Sequence, residues 1–175
     1  MYAIVVRNIL ITGASGLLGS NLIRSLDSAY NVLPVSRSCF SKKSKILDIT
    51  QKDHVSTLIN DFDPSIIINC AAYTDVDKAE LDKKNTRAVN VGGLSNLIQA
   101  CNKKTKIIHI SSDYVFDGKT GQYVEDDSTF PVNYYGKTKL ESENLLIGSN
   151  LEFLIIRPNV LYSDNLSKNH FLSWV

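Results

Sequence analysis

Tyr135-Gly-Lys-Thr-Lys139 sets a phenol four residues before an ammonium. On a helix that spacing puts both side chains on one face, so Lys139 can approach the Tyr135 hydroxyl and a bound cofactor ribose. An unperturbed phenol titrates near pH ~10, too high for efficient proton transfer at neutral pH. A neighbouring cation favours the phenolate and lowers that value, which would make Tyr135 a usable general acid or base. Two further stretches accompany the pair. Gly13-Ala-Ser-Gly16-Leu-Leu-Gly19 follows an apolar run near the start of the chain, and Ser111-Ser112 closes another. Together they point to a nicotinamide-dependent oxidoreductase in which Ser112, Tyr135 and Lys139 carry the chemistry.

Such residues need a scaffold, and strand-like and helix-like patterns alternate along the whole chain. Ile9–Thr12, Asn31–Val35, Lys45–Asp48, Ile66–Asn69, Lys106–Ile110 and Phe153–Ile156 are short, nearly continuous apolar runs, as expected of strands covered on both faces. Helices are expected at Leu17–Leu26, after the glycines, at Gln51–Asp61, where Val55, Leu58, Ile59 and Phe62 share one side, and at Tyr135–Leu146, and Val89, Gly93, Leu97 and Cys101 recur every four residues. This alternation predicts an α/β, Rossmann-like doubly wound parallel sheet flanked by helices. The long connection from Ser112 to Asn133 joins two chemically marked stretches and is expected to be an active-site loop.

Composition narrows the partners. With 175 residues, 43% hydrophobic and 21% charged, the chain suits one ordinary globular domain. Nineteen basic residues against eighteen acidic ones leave a net charge of +1, which gives no footprint for a nucleic acid. No apolar run approaches the ~18 residues of a membrane span. Cys39, Cys70 and Cys101 lack CxxC spacing and read as reduced thiols of a cytoplasmic protein, two of them in the core. The three histidines form no ligand-spaced cluster, so no metal site is expected.

The glycine stretch follows one predicted strand and opens a predicted helix, the context of a pyrophosphate-binding turn. Gly13, Ser15, Gly16, Leu17 and Leu18 are its expected cofactor contacts. Its Gly-x-x-Gly-x-x-Gly spacing differs from Gly-x-Gly-x-x-Gly, and no GxxxxGK[ST] is present. Ser36-Arg37 stands at the end of the second strand, where an acid would favour NAD and a base accommodates a 2′-phosphate. NADP(H) is therefore preferred, with NAD(H) left open. Asp48-Ile49 could bracket the adenine, and Ala71-Ala72 would let the cofactor pass closely over the sheet edge. Asn90, inside a helix, reads either as an anchor or as a solvent-facing side chain.

Gly13-x-x-Gly16-x-x-Gly19, Asn69-Cys-Ala-Ala72, Ser112 and Tyr135-x-x-x-Lys139 together resemble the extended short-chain dehydrogenase/reductases. Ala71-Ala-Tyr-Thr-Asp-Val-Asp-Lys-Ala-Glu80 and Ser111-Ser-Asp-Tyr-Val-Phe-Asp-Gly118 narrow the resemblance to the dTDP-4-dehydrorhamnose reductases within that group. The resemblance runs from about Ile9 to Tyr162. It implies reduction of a 4-keto sugar nucleotide in dTDP-L-rhamnose biosynthesis, with Tyr135 as proton donor to the C4 oxygen. Lys139 would hold the nicotinamide ribose and lower the tyrosine pKa, and Ser112 would polarise the carbonyl. Asp113, Val115 and Phe116 are implied beside the sugar, and Tyr73 near the cofactor. A related epimerase or dehydratase, and a non-catalytic NADP-binding subunit like the regulatory subunit of methionine adenosyltransferase, resemble the same words. Residues 1–162 are expected to form the cofactor domain. Residues 163–175 would begin a substrate-binding segment that is largely absent, with Ser163 where relatives place Gly and an apolar stretch from His170 to Val175 expected to be packed. A homodimer is left open.

Overall fold

The structure, a computed structural model, describes residues 7–162. The expectations for 163–175 lie outside the described residues.

The expected elements form with small shifts in their ends. β1 (Asn8–Thr12) leads through the glycine turn into α1 (Leu17–Leu26), followed by β2 (Asn31–Ser36) and a two-residue β3 (Lys45–Ile46). α2 (Lys52–Phe62) turns Val55 and Ile59 inward at helical spacing and ends at Asp63 in the left-handed conformation, immediately before Pro64. After β4 (Ile66–Asn69) come α3 (Val76–Leu81) and α4 (Lys83–Arg87). The side chains of Asp75 and Asp82 accept from Lys78 N–H and Asn85 N–H, capping these two short helices. α4 passes through a π-helical turn, Ala88–Gly92, into α5 (Gly93–Ala100). β5 (Lys106–Ile110), α6 (Tyr134–Ile147) and β6 (Glu152–Ile156) complete the order.

All six strands are parallel in the order β3-β2-β1-β4-β5-β6. Strand order reverses between β1 and β4, and ligands of open α/β sheets bind beyond the carboxyl ends of the strands at such a point. Alternate residues serve opposite faces. Leu10, Ile67 and Ile107 pack with Val55 and Ile59 of α2, Leu94 and Leu97 of α5 and Leu146 of α6. Ile9, Ile11, Val32 and Ile68 face the other way, against Leu22, Ile23 and Leu26 of α1.

The structure departs from the sequence reading in three places. The third strand stops at Ile46 rather than Asp48, because it pairs only with β2 at the sheet edge, and Asp48 turns back to accept from the Thr50 backbone and hydroxyl. Neither α3 nor α4 was expected; at six and five residues both are too short to show helical periodicity. The third departure concerns the cysteines. Cys70 and Cys101 are half-buried against the two cores rather than inside them, and Cys39 is exposed. Burial nevertheless pushes both half-buried thiols up to about 12.

α6 approaches the 3-10 turn at Asp113–Val115 closely, and Gly136 permits it. A Cβ there would sit 2.2 Å from the Tyr114 carbonyl oxygen, a backbone atom that cannot swing aside. Gly136→Ala is therefore expected to destabilise the fold by about 1–3 kcal/mol despite alanine's better helix propensity. Urea unfolding of the two proteins checks this.

Candidate active site

A cleft of about 550 Å3 opens beyond the carboxyl ends of β1, β2, β4 and β5, a size suited to a small molecule or cofactor. Gly13, Ser15, Gly16, Leu17 and Leu18 line one end of it. Gly13 has φ +62°, and a Cβ on it would lie 2.6 Å from the backbone of Cys70 and Ala71. Glycine is thus needed there twice over, for the turn and for the approach of the β4 end. Gly16 caps α1 without a side chain, and Leu17, Leu18 and Gly19 of the first turn line the cleft with it. Ser36 and Arg37 line the β2 side, Asp48 and Ile49 the β3 side, and Ala71 and Ala72 the floor. Ser112, Tyr135 and Lys139 close the far end.

Two expected residues are placed elsewhere. Tyr73 is not in the cleft lining, which continues instead from Ala72 to Thr74. Its backbone is held from behind: Tyr73 N–H donates to Asn90 Oδ1 at 2.7 Å, and Asn90 Nδ2 donates to Tyr73 O and to Thr138 Oγ1. Asn90 is therefore a buried anchor, turned inward by the π-helical turn. Val115 is fully buried and lines neither this cleft nor the second cavity, because the 3-10 turn points it into the interior. Asp113 and Phe116 do line that second cavity, of about 560 Å3, with Tyr123 and Arg157. Phe116 stacks on Tyr123 at 4.5 Å, so the start of the long connection forms an aromatic wall beside the cleft. Asn159 lines both cavities.

The Tyr135–Lys139 pair differs electrostatically from the expectation. Lys139 is only 1% exposed, and its Nζ donates to the Ile110 carbonyl at 2.6 Å. Burial lowers its pKa to about 8, against the raising influence of Glu143. Tyr135 is raised above the ordinary phenol value, chiefly by burial; the Ser112 hydroxyl opposes this, and Asp113 and Tyr114 add to it. Lys139 is not among the groups that move the phenol, so the expected lowering by the ammonium is corrected. Desolvation wins because the ammonium is directed to a strand-end carbonyl. What lies against the phenol is the Ser112 hydroxyl and the edge of the Tyr114 ring, 5.7 Å between centroids.

A polar chain beneath the cleft was missed by the sequence reading. Ala71 N–H donates to Thr12 Oγ1, which donates to Asn69 Oδ1 at 2.6 Å. Asn69 Nδ2 meets His109 Nδ1 at 3.1 Å, and His109 Nε2 meets Ser142 Oγ at 3.0 Å. Ser142 Oγ donates onward to the Lys139 carbonyl at 2.6 Å. The direction fixes the imidazole as its Nε2–H tautomer, with Nδ1 accepting from the amide. The signal in the sequence was a polar residue at or next to the end of each apolar strand, Thr12, Asn69 and His109.

A scan against family models matches residues 7–175 to the RmlD substrate binding domain. The chain belongs to this family. A dTDP-4-dehydrorhamnose reductase from Aggregatibacter actinomycetemcomitans is 42% identical over 160 residues, covering 89% of this chain and 52% of the relative. The methionine adenosyltransferase 2 subunit beta of Rattus norvegicus is 36% identical over 160 residues, covering 90% of this chain and 48% of that protein. Among solved structures, a Bacillus anthracis dTDP-4-dehydrorhamnose reductase in complex with NADP superimposes with a TM-score of 0.87 at 32% identity, over 97% of this chain and 58% of that one. The chain thus spans about half the length of the family members it matches.

His109 provides a test of the polar chain. Its pKa lies well below the ordinary imidazole value, chiefly through burial and secondarily through the Lys139 charge. The unfolded chain takes up a proton near pH ~6.5 that the folded chain refuses. This contribution to stability is therefore complete above that pH and is lost as the pH falls below it, at up to ~1.4 kcal/mol per pH unit. Urea unfolding on either side of that value should show the acid loss, and His109→Gln should lack the histidine's share.

Proposed function

We propose that the chain is the cofactor-binding portion of an NAD(P)H-dependent reductase of 4-keto sugar nucleotides, of the dTDP-4-dehydrorhamnose type. The observation that carries this reading is the meeting of Ser112 and Tyr135 at the far end of the cleft, with the Lys139 ammonium buried behind them. The glycine turn and the first turn of α1 suit a pyrophosphate, and Arg37, exposed at the end of β2, suits a 2′-phosphate. When bound, the reduced nicotinamide supplies a hydride to the ketone carbon. Ser112 Oγ donates a hydrogen bond to the ketone oxygen, and the Tyr135 hydroxyl gives it the proton that completes the alcohol. A phenol raised by burial remains protonated at neutral pH, the form a reductase needs at the start of the step. Lys139 holds the nicotinamide ribose, and Asp113 and Phe116 border the sugar.

A second reading is favoured by the 36% identity to methionine adenosyltransferase 2 subunit beta. In that reading the same cleft binds NADP for a regulatory subunit without turnover. Product analysis with a dTDP-4-keto-6-deoxy sugar and NADPH, on a protein that includes its substrate-binding half, separates the two. An alcohol product with matched NADPH loss supports the reductase. Tight NADPH binding without product supports the regulatory subunit, and an epimerised or dehydrated product supports a related enzyme.

Two variants sharpen the assignment. In that longer protein Tyr135→Phe is expected to lower kcat by about 10²–10⁴-fold while leaving NADPH affinity nearly intact, because the phenol acts in the chemical step. Near-normal turnover would remove Tyr135 as proton donor. Arg37→Ala should erase a preference for NADPH over NADH, measured by cofactor fluorescence; a preference that survives would have another origin.

A further inference from the structure

Glu143 is a buried carboxylate that the proposed chemistry does not use. It is 0% exposed and stands one helical turn beyond Lys139 on the same face of α6. Arg157 grips it with two donors, Nε to Oε1 at 3.0 Å and Nη2 to Oε2 at 2.7 Å, and the Ser111 hydroxyl donates to Oε1 as well. Arg157 itself belongs to the wall of the second cavity. Its guanidinium lies over the Phe116 ring at 5.2 Å and donates to the Glu125 carbonyl at 3.0 Å.

We propose that Glu143 is a positioning residue that keeps the Lys139 ammonium charged, and that Arg157 ties this carboxylate to the wall of the second cavity. A buried ammonium needs a counter-charge as well as a hydrogen-bond acceptor. The Ile110 carbonyl provides the acceptor. The titratable groups that face Lys139 are Glu143 on its own helix, Cys70 at the end of β4 and His109 on β5. Burial keeps the Cys70 thiol neutral at pH 7 and holds His109 neutral. Glu143 is then the one anion among these described groups, and it acts to raise the lysine that burial depresses. Because Arg157 stacks on Phe116, a ligand that shifts the aromatic wall also shifts the guanidinium that orients Glu143. The substrate-side cavity and the cofactor-side lysine thereby share one carboxylate. The meaning of this link for cofactor binding rests on the proposed role of Lys139, whereas the protonation of Lys139 is measured without any cofactor.

The test follows the Lys139 side-chain nitrogen by NMR through an alkaline titration of the chain. The wild-type ammonium should lose its proton near about 8. Glu143→Gln keeps the shape and removes the charge, and should move that midpoint down by about one pH unit or more. Since Glu143→Gln leaves Arg157 without its anion, Glu143→Gln combined with Arg157→Met provides a second variant from which both charges are gone. A folded variant with the lowered midpoint supports the proposal, and its NADPH affinity should fall away at a correspondingly lower pH. An unchanged midpoint in either folded variant overturns it, leaving Glu143 as an anchor for the chain after β6. A lowered midpoint with no pH dependence of NADPH binding would keep the electrostatic link and remove Lys139 from the cofactor.

Discussion

Burying an ammonium in a protein costs several kcal/mol unless oxygen atoms and a counter-charge surround it, and this requirement organises the carboxyl end of the sheet. Lys139 donates to the Ile110 carbonyl at the last residue of β5, and Glu143, one turn along α6, acts to raise its pKa. The bond to Ile110 demands that α6 lie close over the end of β5. Gly136 makes the approach sterically possible, and Asn133 sets the start of the helix by accepting from Gly136 N–H at 2.7 Å. His109 then joins β5 to α6 through Ser142. The position of one charged nitrogen is therefore fixed by the packing of a whole helix.

The same logic explains the polar residues at or next to the ends of β1, β4 and β5. Thr12, Asn69 and His109 are all at most 2% exposed, yet each finds a partner in the next. A partly satisfied buried chain of this kind would weaken the fold more than an apolar one; here it runs unbroken from the Ala71 amide to the Lys139 carbonyl. It lies beneath the cleft and ties the floor at Ala71 to the helix that carries Tyr135. The second cavity is built on different principles, from stacked aromatic rings and a guanidinium, and its segment from Asp117 to Val132 includes many exposed residues.

Much of this was legible in the sequence wherever the physics is local. β4 and β5 match their apolar runs residue for residue, α1 follows from its place after the glycine turn, and α2 from the spacing of its inward residues. The cleft was legible because its lining is placed by strand ends and by a glycine turn. α6 shows the limit. Its buried face holds Thr138, Lys139, Ser142 and Glu143, so hydrophobic periodicity nearly vanishes along it and does not show which residues turn inward. Whether Lys139 or burial dominates the Tyr135 phenol depends on where the ammonium points, and spacing alone does not set that. The burial of Val115 and the absence of Tyr73 from the cleft lining have a similar origin. A 3-10 turn and a π-helical turn, neither visible in the pattern, decide which side of the backbone faces the cavity.

The account rests on one claim, that the cleft over the ends of β1, β4 and β5 is a dinucleotide site whose far end is Ser112, Tyr135 and Lys139. A crystal structure of the chain grown with NADPH tests it most directly. The account predicts the pyrophosphate on the glycine turn and the first turn of α1, the 2′-phosphate beside Arg37, and the nicotinamide ribose within hydrogen-bonding distance of Lys139 Nζ and the Tyr135 hydroxyl. A cofactor seated elsewhere, or one in the cleft with its nicotinamide end turned away from Tyr135, would contradict it.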